Sequence, residues 1–308
     1  MRIVLLSRID YAGSAHKLFC ALKRHTDFTL DLFSGNPENR FYHPTNIIVT
    51  KENKSNIQAI LDQADIVHFK GDWPPVRDYL NLNIPNKPVV MTTSGSFFRK
   101  KEHKGIGLYS NKDYNQIPVT LKTSFEPDLL YPEYSDIWTP HPIDSDEQPV
   151  LWKQNGKPIF MHIPSTPGRK GTGFVQKVFD ILKSKIDCDT YIKTGITFKE
   201  AVAMKKKATI YFDQFEVGFY GNSALEAMQW GIPVVCWLSP WAISQANGQL
   251  EGCPIINEDK SNPEKTANRI ISLLEDKDLS RKTKAWCDAK HGYKAIANQW
   301  KELYERIQ

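Results

Sequence analysis

Short apolar runs bounded by turn residues recur along the chain, and segments with apolar positions at helical spacing lie between them. The runs at 3–6, 29–33, 47–49, 88–92, 158–163, 190–194, 209–212, 234–237 and 253–257, with the apolar centre of 64–71, predict buried strands. Helical spacing predicts helices at 15–24, 55–63, 173–183, 224–230, 279–290 and 293–307. Two more follow from start signals: Thr197-Phe-Lys-Glu200 is a capping box opening a helix through Met204, and Asn262-Pro263 opens one to Leu274. Ser14 is the expected cap of the first helix, and residues 239–252 read as a polar loop. Strands alternating with helices in this way give an α/β fold with parallel, doubly wound sheets.

The most informative stretch is 209–237. It reads as a strand, a loop with Gly218 and Gly221, a helix entry at Asn222-Ser223, a short helix, a left-handed stop at Gly231, Pro233 and a further strand. Glycines let a backbone approach a ligand closely, and a helix N-terminus favours an anion such as a phosphate. Glu226 lies early in that helix, where a carboxylate can accept two hydrogen bonds from a diol such as a ribose. The residues alone leave two readings open, a nucleotide site or a Gly turn with a helix-dipole glutamate.

Length and composition then narrow the class. A chain of 308 residues has room for about two domains, and polar residues 145–157 mark the expected boundary between 1–144 and 158–290. The formal net charge of +5 suits an anionic ligand or membrane surface, and with no RNA-binding motif it does not point to nucleic acid. The five cysteines, Cys20, Cys188, Cys236, Cys253 and Cys287, have neither metal nor disulfide spacing, which fits a reducing cytosol. Residues 2–6 are too short for a signal peptide, and no apolar run is long enough to span a bilayer. The expected location is therefore cytoplasmic, or peripheral at the inner membrane face.

Three further segments carry candidate chemistry. Pro164-Ser165-Thr166-Pro-Gly168-Arg169-Lys170-Gly171-Thr172 places two cations and two glycines ahead of a helix, which suits an anion and lacks the Walker spacing. A solvated basic turn is the other reading. Residues 97–112 hold Arg99, Lys100, Lys101, Lys104 and Lys112 against Glu102, with aromatic residues interleaved. They read as a solvated loop or as a contact for an anionic acceptor or lipid headgroups, where each basic side chain contributes ~1 kcal/mol. Ser94, Gly95 and Ser96 end the strand at 88–92, and His68 lies near the end of another, either in the core or at a ligand.

Gly218-Phe-Tyr220-Gly221-Asn222-Ser223-Ala-Leu-Glu226-Ala-Met-Gln-Trp-Gly231-Ile-Pro-Val-Val235 resembles the donor-site motif of retaining GT-B glycosyltransferases, family 4 in particular. That motif has two glutamates eight positions apart. Glu226 matches the second, which holds the donor ribose in the family, while Gly218 stands in place of the first and Glu216 two residues before it. Lys170-Gly171 matches a family Lys-Gly that grips the donor diphosphate; Ser165 stands where the family has an arginine, and Arg169 is an added cation. Ser94-Gly95 stands where family members often have His-Gly, and His68 fits the first histidine of a further pattern, with Lys70 replacing the second.

The resemblance implies a GT-B fold, two Rossmann-like domains facing across a cleft, with the 291–308 helix returning to the N-terminal domain. It implies transfer of a sugar from a nucleotide-diphosphate sugar to a hydroxyl acceptor, a glycan or glycolipid, with retention of configuration. By resemblance Arg169, Lys170 and Glu226 form the catalytic set, and Gly13, Ser165, Thr166, Gly218, Tyr220, Gly221, Asn222 and Ser223 hold the donor. His68, Ser94, Gly95 and Ser96 line the acceptor side. The cationic side chains could do a metal's work on the diphosphate, so neither metal nor cofactor is expected. Two alternatives stay open because of Gly218: an inactive nucleotide-sugar-binding subunit, and a GT-B nucleotide-sugar epimerase.

Overall fold

The computed structural model describes residues 1–35, 47–71, 81–95, 119–131, 135–151 and 156–308. Its residues gather into two compact units, Met1–Pro142 with Tyr293–Gln308, and Ile143–Gly292. Among the described residues no helix is long and apolar enough to cross a membrane.

The first unit is built on seven parallel strands: β1 (Arg2–Ser7), β2 (Thr29–Ser34), β3 (Ile47–Ile48), β4 (Ile66–Lys70), β5 (Val89–Thr93), β6 (Leu121–Ser124) and β7 (Ile137–Trp138). They lie in the order β3-β2-β1-β4-β5-β6-β7, the doubly wound order that reverses between β1 and β4. Alternation along β1 feeds two cores. Val4 and Leu6 pack with Ile57 and Leu61 of α2 (Lys54–Asp62), while Ile3 and Leu5 pack with Leu18 and Leu22 of α1 (Ser14–His25). The C-terminal helix, Tyr293–Ile307, completes that second core with Ile296, Trp300 and Tyr304. Strands β6 and β7 were not expected; each is short, and Lys122 interrupts the apolar run of β6.

The second unit has five parallel strands: β8 (Ile159–His162), β9 (Asp189–Ile192), β10 (Ile210–Phe212), β11 (Val234–Cys236) and β12 (Ile256–Asn257). Their order is β12-β11-β10-β8-β9, so the strand order reverses between β8 and β10. The helices are α3 (Pro167–Lys170), α4 (Thr172–Lys185), α5 (Phe198–Lys205), α6 (Asn222–Met228), α7 (Pro240–Gln245), α8 (Pro263–Leu273) and α9 (Leu279–His291). Phe160, Val175, Phe179, Phe212 and Ile270 lie at the centre of its core.

Several local expectations hold. The Thr197–Glu200 capping box is formed in both directions, and Gly231 takes the left-handed conformation. Others need correction. The stretch 239–252 contains α7, started by Pro240 and capped by Ser239 Oγ, which accepts the Ala242 N–H at 3.1 Å. The helix is hard to read from the sequence because it is short and only Ala242 in it is buried. Ser14 does not cap α1. Asp10 does so instead, accepting the N–H groups of Ala15 and His16 at 2.8 and 2.9 Å. Asn222 and Ser223 lie inside α6 with Gly221 at the cap position, and no side chain caps that helix. The stretch read as a linker, 145–157, is anchored to the second unit over its first part: Lys284 donates to the Ser145 carbonyl and the Leu151 N–H to that of Trp230.

Candidate functional site

In an open parallel sheet, ligands bind beyond the carboxyl ends of the strands, where the strand order reverses. In the second unit that point lies between β8 and β10. The loop after β8 carries Ser165, Thr166, Arg169 and Lys170; the loop after β10 runs from Asp213 to Gly221. One ion pair joins them. Lys170 Nζ donates to Asp213 Oδ1 at 2.8 Å, and Asp213 Oδ2 accepts the Gly221 N–H at 2.8 Å. Burial alone raises the Asp213 carboxyl, but the Lys170 ammonium and the two hydrogen bonds outweigh it and hold the group below its ordinary value. Ser165, Thr166 and Arg169 are exposed on the same loop.

Beneath the loops lies a second buried pair. Lys205 Nζ, at the end of α5, donates to Glu226 Oε2 of α6 at 2.5 Å, and both residues are almost fully enclosed. The same ammonium sits 5.3 Å from the centre of the Tyr211 ring. The Tyr211 hydroxyl hydrogen-bonds Ser223 Oγ at 2.7 Å, and burial pushes it well above its ordinary pKa. His162 closes the base of the site. Its Nδ1–H donates to the Phe212 carbonyl and its Nε2 accepts the Thr172 hydroxyl, each at 2.9 Å. Burial lowers it to about 4, so the ring is neutral near pH 7.

The shape of the 213–221 loop follows from Gln214. Its amide nitrogen donates to the Phe219 carbonyl and its Oε1 accepts the Val217 N–H at 2.7 Å. Tyr220 is buried, with its hydroxyl 2.9 Å from His291 Nε2. Gly218 has φ 85°, and a Cβ there would lie 2.8 Å from Ser239 Cβ. A glutamate at 218 does not fit this loop. Glu216, two residues earlier, pairs its carboxylate with Lys260 Nζ at 2.6 Å. Beside the loops opens a pocket of about 480 Å³, lined in part by Gly168, Thr172, Gly173, Lys177, Glu216 and Lys260.

In the first unit, Gly13 precedes α1, and the helix N-terminus is occupied by Asp10, which also pairs with Lys70 Nζ at 3.6 Å. Gly95 donates its N–H to the Glu126 carboxylate, which also bonds His141 Nε2 at 3.1 Å. Ser94 is half-buried at the end of β5, while Ser96 and the basic run 97–112 lie outside the described residues. His68 is not at a ligand surface. It is a fully enclosed core residue, with Nδ1 2.6 Å from the Tyr304 hydroxyl, Nε2 2.7 Å from Thr92 Oγ1, and its ring against Trp300. Burial lowers it to about 3.

Within the second unit the structure therefore brings Lys170 and Gly221 together, and sets Glu226 close to Tyr211 and Ser223. Sequence reasoning missed Asp213, Gln214 and Lys205. Asp213 carried a readable signal, a carboxylate directly after the apolar run 210–212 at a carboxyl strand end. Lys205 was masked by the run Lys205-Lys206-Lys207.

No protein-family profile and no curated protein sequence matches the chain. Solved structures do share its fold. A glycosyltransferase from Rickettsia africae superposes with a TM-score of 0.66 at 13% identity, covering 99% of this chain and 98% of its own. An α-glucosyltransferase in complex with UDP-glucose and DNA containing an abasic site gives 0.67 at 15%, covering 100% and 99%. The Anabaena protein HepE in complex with UDP and glucose gives 0.61 at 10%, covering all of both chains. The chain thus has the α/β fold of GT-B glycosyltransferases, two Rossmann-like units each on a parallel sheet.

Proposed function

We propose that the protein is a glycosyltransferase that moves a hexose from a nucleotide-diphosphate sugar to a hydroxyl acceptor with retention of configuration, in polysaccharide or glycolipid assembly. The observation that carries this reading is the meeting of Lys170, Asp213 and Gly221 at the switch point of the second sheet. It is supported by the fold shared with proteins solved with UDP or UDP-glucose. Arg169 and Lys170 stabilise the negative charge that develops on the leaving diphosphate, the main electrostatic demand of the step. Ser165, Thr166 and the 218–223 loop surround the donor, and Glu226 holds the ribose. These cations act in place of a metal, and no cofactor takes part. Transfer takes place in the cytoplasm, with residues 97–112 meeting an anionic inner membrane face.

A second reading has one specific observation behind it. The 218 position cannot take the family's first glutamate in this loop, so a subunit that binds the nucleotide sugar without transferring it is the alternative. Incubation with UDP-, GDP- and ADP-sugars, with and without glycan and glycolipid acceptors, separates the two. The transferase reading expects nucleoside diphosphate release that rises with one acceptor, and a product whose anomeric proton coupling matches that of the donor. Binding without release under every condition supports the subunit instead.

A further inference from the structure

Of the three consecutive lysines Lys205, Lys206 and Lys207, only Lys205 is buried, at 2% exposure. Lys206 lies over the Trp230 ring at 4.5 Å and remains exposed. Enclosing an ammonium is costly, and an apolar side chain of similar length fills such a space at least as well. The ammonium is held on two sides: Glu226 Oε2 accepts from it and the Tyr211 ring faces it. The Tyr211 ring is itself fixed through Ser223, which lies one turn before Glu226 on α6. The arrangement fixes where the Glu226 carboxylate points.

We propose that Lys205 is the positioning residue that orients Glu226 toward the two hydroxyls of a ribose, and so makes the site select ribonucleotides over their deoxy forms. The proposal rests on the nucleotide-sugar reading above. A carboxylate has lone pairs for several donors, so one oxygen can hold Lys205 while the group accepts from a diol. Among the described residues, Tyr211 faces the pair from β10, and Asp213 at the end of that strand is committed to Lys170.

The test is calorimetric titration of the full chain with UDP, ADP and GDP, then with the 2′- and 3′-deoxy forms of whichever binds. The proteins are wild type, Lys205→Met, Lys205→Gln, Lys205→Arg and Glu226→Gln, each first checked for a cooperative melt. Lys205→Gln puts a neutral polar side chain in the same place and serves if Lys205→Met does not fold. Wild type is expected to favour the ribose form by roughly tenfold or more. Lys205→Met, or Lys205→Gln in its place, loses that ratio as Glu226→Gln does, and Lys205→Arg keeps it. If Lys205→Met or Lys205→Gln binds ribose and deoxyribose forms more weakly by the same factor, with the ratio intact, Lys205 only supports the fold and the proposal is overturned. If wild type binds no nucleoside diphosphate, the nucleotide reading fails first and the proposal with it.

Discussion

Lys170 Nζ stands 2.8 Å from Asp213 Oδ1, and the other oxygen of that carboxylate takes the Gly221 N–H at the same distance. One buried charge thus ties the loop after β8 to the loop after β10. The ammonium read as the diphosphate grip is balanced within the unit, so an arriving diphosphate competes with Asp213 for it.

Removing Lys170 leaves Asp213 buried with the Gly221 N–H alone. Lys170→Ala is expected to lower stability by about 1–3 kcal/mol, less than for a fully enclosed pair because Lys170 is partly exposed. Urea denaturation checks this. A variant as stable as wild type would show that the pair is slack.

The pair also sets an acid limit. The Asp213 carboxyl is held below its ordinary value of 3.8, so its contribution is complete above that pH and is lost as pH falls through the lower folded value. Asp213→Asn should flatten the fall in stability below pH 3.8. An unchanged acid limb would contradict the assignment.

Two buried histidines act in a higher window. His162 is lowered from 6.5 to about 4 and His68 from 6.5 to about 3. Between those values and 6.5 the unfolded chain binds the proton and the folded chain does not, so stability falls as pH drops below 6.5. Each contributes a slope of up to ~1.4 kcal/mol per pH unit in its window. Denaturation midpoints at pH 7 and pH 5 should differ less in His162→Gln than in wild type.

Gly218 is a steric requirement. Its φ of 85° and the 2.8 Å approach to Ser239 mean that Gly218→Ala should cost about 1–3 kcal/mol, and Gly218→Glu at least as much. A glutamate at 218 is therefore expected to damage the loop. A Gly218→Glu protein with undiminished stability and tighter donor binding would overturn that view.

Much of the architecture was legible because its elements are long or sharply marked. The helix at 293–307, the Thr197 capping box and the apolar strand runs 3–6 and 234–237 each carry their own signal. What was hidden depends on partners far away in the chain. Nothing near Asp10 announces that it caps α1, and nothing near Lys205 says that it meets Glu226. His68 lies in the middle of β4 between Val67 and Phe69, and what encloses it is Tyr304 and Trp300 from the last helix. Helix α7 was missed because it buries little, and β6 and β7 because short strands owe their existence to neighbours.

The most direct measurement is calorimetric titration of wild type, Lys170→Ala and Glu226→Ala with a panel of nucleotide-diphosphate sugars. One donor is expected to bind wild type, and both substitutions to weaken that binding by roughly tenfold or more, the value of a lost charged hydrogen bond. A folded wild-type protein that binds none of the donors, or a donor bound equally well by all three proteins, would contradict the nucleotide-sugar site.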